Sequence, residues 1–206
     1  SMRRIILASS SPRRKELMAL MGVEFECVPS EFEEKLDDSR DSKEVAMELA
    51  LGKALDVAKK YPDALVVGSD AMVVFEGEQL GKQPDIETAR KLLRRMGGKR
   101  VDVVTAVALV CYETGLKEVD VDVATVVYSP YDDVAIDRFL AANEWQDKAG
   151  AMATQHPFSP PIDYIEGDYD TVLGLSTRLL SEMLTAQGIA CKPARLTPPH
   201  LIRKLA

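Results

Sequence analysis

The sequence predicts an α/β protein with a mixed β-sheet, and three observations point to it. Short β-branched or alternating runs, such as "RIILA" and "VDVVTAVALVCY", take turns along the chain with stretches of helical periodicity such as "DSKEVAMELALGKALDVAKKY". Some strand candidates are separated by a helix, the connection that parallel neighbours need; others are separated by a few turn residues, which suit only antiparallel neighbours. At 206 residues, 46% hydrophobic and 29% charged, the chain has the size and composition of one sizeable α/β domain or two small lobes sharing a core.

The elements follow in order. "RIILA" is a short first strand, and the serine loop after it leads into a helix from about Pro12 to Met21, with Ser11 as N-cap, Pro12 at the first helical position and Gly22 as the stop. "VEFECVPS" alternates like a second strand, and "EFEEKLDD" is an acidic loop. The longest helical pattern comes next, with Asp41 and Glu44 at capping-box spacing and Pro62 closing it. "ALVVGSDAMVVF" reads as a nearly continuous buried strand, "EGEQ" as its turn and "LGKQP" as a short return. "DIETARKLLRRMGG" has the acidic start, basic end and glycine stop of a helix. "VDVVTAVALVCY" and "LKEVDVDVATVVY" form a hairpin around "ETG". "DVAIDRFLAAN" is a helix, "EWQDKAGAMATQHPFSPP" an irregular loop, "IDYIEGDYDTVLG" strand-like with a turn, and "STRLLSEMLTAQG" a final helix. With no repeat, low-complexity tract or separating linker, residues 1–206 read as one domain.

A formal net charge of -7 weighs against nucleic acid or an anionic membrane as partner, because neither polyanion attracts an acidic protein overall. No apolar run approaches the ~20 residues that cross a bilayer, and no basic-then-apolar signal segment precedes the first strand. Cys27, Cys111 and Cys191 are odd in number and widely spaced, so a disulfide framework is not expected and a reducing, cytoplasmic setting is. With His156 and His200 the only histidines, a histidine-rich metal centre is excluded.

Five stretches depart from ordinary patterning. Arg13 and Arg14 stand in the first turn of a helix, where cations oppose the dipole by about 0.3–1 kcal/mol each. A phosphate held by free backbone N–H groups, the hydroxyls of Ser9 to Ser11 and the guanidinium forks would offset this; two solvated arginines, one paired with Glu16, is the other reading, and spacing leaves both open. The pattern is not the glycine-rich loop of the Walker ATPases. Asp70 interrupts an apolar strand, where buried charge is expensive. Either the chain bulges at Gly68 and Ser69 so that Asp70 caps a turn, or the carboxylate faces a cleft as metal ligand or general base. Glu31 to Asp38 packs five carboxylates into eight positions, ordinarily a solvated loop, yet one of them could join Asp70 around Mg²⁺ or Mn²⁺, which take one or two carboxylates plus phosphate oxygens. Lys53 flanks the apolar stripe of the long helix, where snorkelling is the usual explanation, and Lys82 sits in a loop bounded by glycine and proline.

Taken together, "LASSSPRRKELM", the acid loop ending "FEE", "LALGKAL", "VVGSDAMVV", "LGKQP", "DKAGAMATQ" and "IEGDYDTVLGL" resemble, in order and over nearly the whole chain, the Maf-like family of nucleoside triphosphate pyrophosphatases, also called septum formation proteins. The resemblance implies hydrolysis between the α and β phosphates of a nucleotide, giving a nucleoside monophosphate and pyrophosphate with a divalent metal, as cytoplasmic house-cleaning. It implies a fold similar to the inosine triphosphate pyrophosphatases, an elongated mixed sheet with flanking helices and two lobes around a cleft, and a homodimer.

Carried over residue by residue, the resemblance makes Asp70 the catalytic acid that activates water and Glu34 its metal partner. Arg14, Lys53 and Lys82 become the basic groups around the triphosphate, with Ser9 and Ser11 beside them, and Arg13, Ala71 and Gln155 fall on three positions associated with substrate choice. Arg13 and Gln155 are similar to the branch acting on dTTP and UTP, whereas the branch acting on 7-methyl-GTP shows tryptophan and glutamate there. Ala71 matches neither, since those branches carry threonine and glutamine respectively. The expectation is therefore a (d)NTP pyrophosphatase of the dTTP/UTP kind; the alternatives are the same chemistry on 7-methyl-GTP or another modified nucleotide, or a nucleotide-binding regulator of cell division with little catalysis.

Overall fold

The computed structural model describes residues 3–198 of the chain. Its seven strands and six helices run β1 (Ile5–Leu7), α1 (Pro12–Ala19), β2 (Glu26–Cys27), α2 (Ser42–Ala58), β3 (Leu65–Phe75), β4 (Glu78–Leu80), α3 (Ile86–Met96), β5 (Arg100–Cys111), β6 (Leu116–Tyr128), α4 (Asp133–Ala141), β7 (Ile162–Glu166), α5 (Tyr169–Leu173) and α6 (Thr177–Ala186). The strands form one sheet in the order β2-β1-β3-β5-β6-β7, with β4 added to β3. It is mixed: β1 lies parallel to β2 and β3, while β3–β4 and β6–β7 are antiparallel. The expected α/β class with a mixed sheet is what the chain adopts.

Two compact units share the chain. The first comprises the residues up to Ala71 with Val104–Val123 and Asp170–Leu196, and the second Met72–Val103 with Ala124–Tyr169. In the first, β1 and the first half of β3 are buried without interruption, and α2 turns Val45, Ala46, Leu49, Ala50, Ala54, Val57 and Ala58 inward. The small side chains let this helix come close, since a Cβ on Gly68 of β3 would meet the Ala50 carbonyl oxygen at 2.2 Å. In the second, α3 and α4 close over a core of Ala89, Leu93, Ile136, Phe139, Leu140, Trp145, Ala151 and Ala153.

Caps follow the sequence rules. Ser11, Asp85, Asp132 and Ser176 accept from backbone N–H groups at their helix starts. Asp41 does so through Lys43 N rather than in the full box expected with Glu44.

Three expectations are corrected. The second strand keeps only Glu26–Cys27, because it is exposed at the sheet's rim and β1 offers it a two-residue register. "EGEQ" is not a four-residue turn: Glu76 and Gly77, at φ 51° and 79°, make a two-residue hairpin turn, and Glu78–Leu80 is the return strand. "DYDTVLG" is not strand but carries α5, a short apolar run whose period alone does not separate helix from strand.

Candidate active site

β3 runs unbroken through Asp70, so Asp70 does not cap a turn. β1 pairs with Leu65–Val67 and β4 with Val73–Phe75, which leaves Gly68–Met72 between the two pairings. Asp70 is in this interval, 4% exposed. Burial pushes its carboxyl above the usual carboxylate range; the charge of Lys53 pulls the other way, Glu34 adds to the rise, and Arg14 opposes it.

α2 delivers Lys53 to the same point. Its ammonium is not snorkelled into water: the residue is 7% exposed, and Nζ donates to Asp70 Oδ1 at 3.1 Å and to the Ser69 carbonyl at 3.2 Å. Nζ also meets Glu34 Oε1 of the acidic loop at 2.5 Å. One cation thus joins two carboxylates that would otherwise repel each other.

Arg14 reaches the cluster from α1. Its Nε donates to the Gly174 carbonyl at 2.7 Å, and loss of water pushes the guanidinium below its ordinary value against the pull of Asp70 and Glu34. The side edge of the guanidinium lies along Gly174: a Cβ there would be 3.6 Å from both Nε and Nη2, and 3.7 Å from Ala71 Cβ. With Nε held, the end of the fork, Nη1 and Nη2, is the part suited to an oxyanion. Ser9 and Ser11 first serve the loop itself, since Ser9 Oγ accepts from Ser11 N and Ser11 Oγ from Arg14 N. Arg13 is half-buried in the same first turn.

The second unit carries Lys82 and Gln155, both exposed. The Lys82 loop is braced, because Gly150 N and Gln83 Nε2 both donate to the Gly81 carbonyl and Lys82 bridges Ala149. His156 uses its Nδ1 within its own loop, accepting from Phe158 N, and His200 lies outside the described residues.

The structure adds groups that sequence reading missed. Gly174, at φ +110°, gives its carbonyl to Arg14 and also to Ser69 Oγ, at 2.9 Å. The segment behind it is fixed by a buried network: Asp170 accepts from Thr171 N, Thr177 N and Thr177 Oγ1, and Thr105 Oγ1 donates to the Thr171 carbonyl. The signal in the sequence was Asp170 inside "DYDTVLGL", a charge in an apolar run whose partners, Thr171 and Thr177, follow within seven residues.

Among the described residues, no group of three or more His, Cys, Asp or Glu side chains could hold a metal ion. Glu34 and Asp70 nevertheless converge on one cation, Lys53 Nζ, and two carboxylate donors fit Mg²⁺ or Mn²⁺ where substrate phosphate oxygens complete the shell. No helix among the described residues is long and apolar enough to cross a membrane.

Residues 4–187 match the family model described as Maf-like protein. The chain is 37% identical to the dTTP/UTP pyrophosphatase of Pyrococcus horikoshii over 93% of its own length and 99% of that relative's. It is 39% identical to the dTTP/UTP pyrophosphatase of Bacillus cereus, strain ZK / E33L, over 88% of its length and 95% of the relative's. It is also similar to the structure of a HAM1 protein from Coxiella burnetii, at 19% identity over 62% of this chain and 73% of that one with a TM-score of 0.42, a likeness too loose to inform the site. Motifs, collinear match and coverage agree, and the chain belongs to the Maf-like protein family.

Proposed function

We propose that this protein is a nucleoside triphosphate pyrophosphatase acting on dTTP and UTP. The observation that carries the reading is Asp70, a buried carboxylate set between two cations, Lys53 and Arg14, with a second carboxylate beside it; the names of the relatives fit it. Burial raises the proton affinity of Asp70, which suits a general base. Water attacks the α phosphorus, Asp70 takes its proton, and the bond to the bridging oxygen breaks with its electron pair going to the departing pyrophosphate. Arg14 offers the end of its fork to the phosphates, and the ammonium of Lys53 orients the Asp70 carboxylate.

Glu34 and Asp70 are the residues that would hold a divalent cation, whose chemistry when bound is to stabilise charge on the phosphoryl oxygens. Lys82 is assigned to the triphosphate, and Arg13, Ala71 and Gln155 to the choice of base. Ala71 has no hydroxyl to offer the base or sugar, and a polar partner left unmet costs about 1–3 kcal/mol, so this chain discriminates among bases less sharply than one with threonine there. Three free cysteines fit a cytoplasmic setting, and a homodimer would show in light scattering as twice the 22.7 kDa of one chain.

The test is product analysis with dTTP, UTP, CTP and 7-methyl-GTP in Mg²⁺ or Mn²⁺. Pyrophosphate and the monophosphate are expected, with heavy oxygen from labelled water in the monophosphate. Orthophosphate as first product, or tight binding without turnover across the panel, overturns the reading. Asp70→Asn should lower kcat by about 10²- to 10⁴-fold, and an unchanged kcat would remove Asp70 from the base role.

A further inference from the structure

Gly52 is an anomaly the proposed chemistry leaves unexplained. It occupies the interior of α2, where glycine is a poor helix former. Its surroundings supply the reason. A Cβ on Gly52 would lie 2.4 Å from Phe32 Cζ, 2.5 Å from Cε1 and 2.7 Å from Cε2, so the end of the Phe32 ring rests on bare helix backbone. Phe32 belongs to the exposed acidic loop and is itself 43% exposed; it anchors the loop more than it fills a core.

The same face of α2 catches the loop twice more. Asp56, four residues on from Gly52, accepts Glu31 N at 2.9 Å and Ser30 Oγ at 3.3 Å through Oδ2. Phe32 N in turn donates to Ser30 Oγ at 3.1 Å, which shapes the turn that aims the ring. Lys53, next to Gly52, receives Glu34. Positions 52, 53 and 56 share one helix face, and loop residues 30 to 34 lie down along it.

We propose that Phe32 is a positioning residue, with Gly52 as the seat of its ring and Asp56 as the catch for the loop's beginning, and that this docking sets the Glu34 carboxylate beside Lys53 and Asp70. The role rests on the reading of Glu34 as a carboxylate of the reacting site. It explains why a loop with five carboxylates holds one of them at a buried ammonium: like charges alone would drive the loop outward, and an aromatic foot offsets them.

The experiment compares wild type, Phe32→Ala, Gly52→Ala, Glu34→Gln and the double variant Phe32→Ala with Glu34→Gln. It measures kcat and KM for pyrophosphate release from dTTP, the thermal midpoint, and hydrogen exchange of the segment 30–38. Gly52→Ala should hold or raise the midpoint, because alanine is the better helix former, while kcat/KM falls about 10- to 100-fold, the scale on which supports of ligating groups act. Phe32→Ala should fall likewise, speed exchange across 30–38, and add no further loss in the Glu34→Gln background, since residues acting as one unit are not additive. Unchanged exchange in Phe32→Ala overturns the docking role whatever the activity, and so does wild-type turnover in Phe32→Ala and Gly52→Ala when Glu34→Gln is impaired. If exchange quickens but Glu34→Gln turns over like wild type, the loop is docked as proposed and it is the reading of Glu34 that fails.

Discussion

Asp70 is a carboxyl group that the fold makes costly to ionise. Desolvation raises its proton affinity, and the charge of Lys53 only partly restores the anion. The sign of the stability effect follows. Below the ordinary Asp range near ~4 both folded and unfolded chains hold the proton, and Asp70 contributes no pH dependence. Between that range and the raised folded value, the unfolded chain has released the proton while the folded chain keeps it, so stability falls as pH rises; above the folded value the loss is complete and constant. Asp70→Asn lacks this titration. In chelator, the thermal midpoint of Asp70→Asn relative to wild type should therefore climb as pH rises from about 4 and level off once the raised folded value is passed. A wild type that gains on the variant as pH rises would mean that Lys53 and Arg14 outweigh burial. Of the charges that meet here, Asp70 stood out in the sequence as a carboxylate in an apolar strand; Arg14 at its helix start was left open by spacing, Lys53 read first as a snorkelled side chain, and Glu34 was singled out from its crowd of like charges only by the family resemblance. Ser69 and Gly174 were not legible, because their work is done by a hydroxyl and a carbonyl whose partners lie as far as 160 residues along the chain.

Among the elements, the contact of α2 with β3 decides whether Lys53 meets Asp70. α2 brings a row of alanines to the sheet, and Gly68 removes the last obstacle: a Cβ there would sit 2.2 Å from the Ala50 carbonyl oxygen, 2.8 Å from Ala54 N and 2.9 Å from Ala54 Cβ. These atoms are mostly helix backbone, which has no rotamer by which to retreat, so Gly68→Ala must push the helix away. Overpacking of this kind costs about 1–3 kcal/mol, and the shift carries Lys53 from Asp70. The variant should unfold at lower denaturant and lose turnover further than its lost stability accounts for when assayed where it is fully folded. Full turnover in a folded Gly68→Ala protein would show that the Lys53–Asp70 contact tolerates a displaced helix. Long elements were legible for a physical reason: α2, α3, β3, β5 and β6 repeat their apolar period often enough to exclude the alternative. β4 and α5, at three and five residues, complete no such repeat, and they exist because β3 and the Asp170 network give them partners.

Charge sets the behaviour of the whole molecule toward its substrate. The chain carries a formal -7, and within the first unit the two cations Lys53 and Arg14 are matched by the two anions Glu34 and Asp70 before any nucleotide arrives. A triphosphate approaching from a distance therefore meets net repulsion, and only at close range do the fork of Arg14 and its neighbours attract it. Salt distinguishes these ranges, because the screening length shrinks from about 30 Å at 0.01 M to about 8 Å at 0.15 M. Screening at the higher salt removes the distant repulsion and spares part of the short-range attraction. The association rate of a fluorescent nucleotide, followed by stopped flow in chelator, should accordingly rise across this interval, opposite to the steep fall expected of a protein that gathers phosphates with a basic surface. A rate that falls with salt would mean that the cations around the site project a net positive field into solvent, and that the acidic remainder of the molecule does not govern encounter.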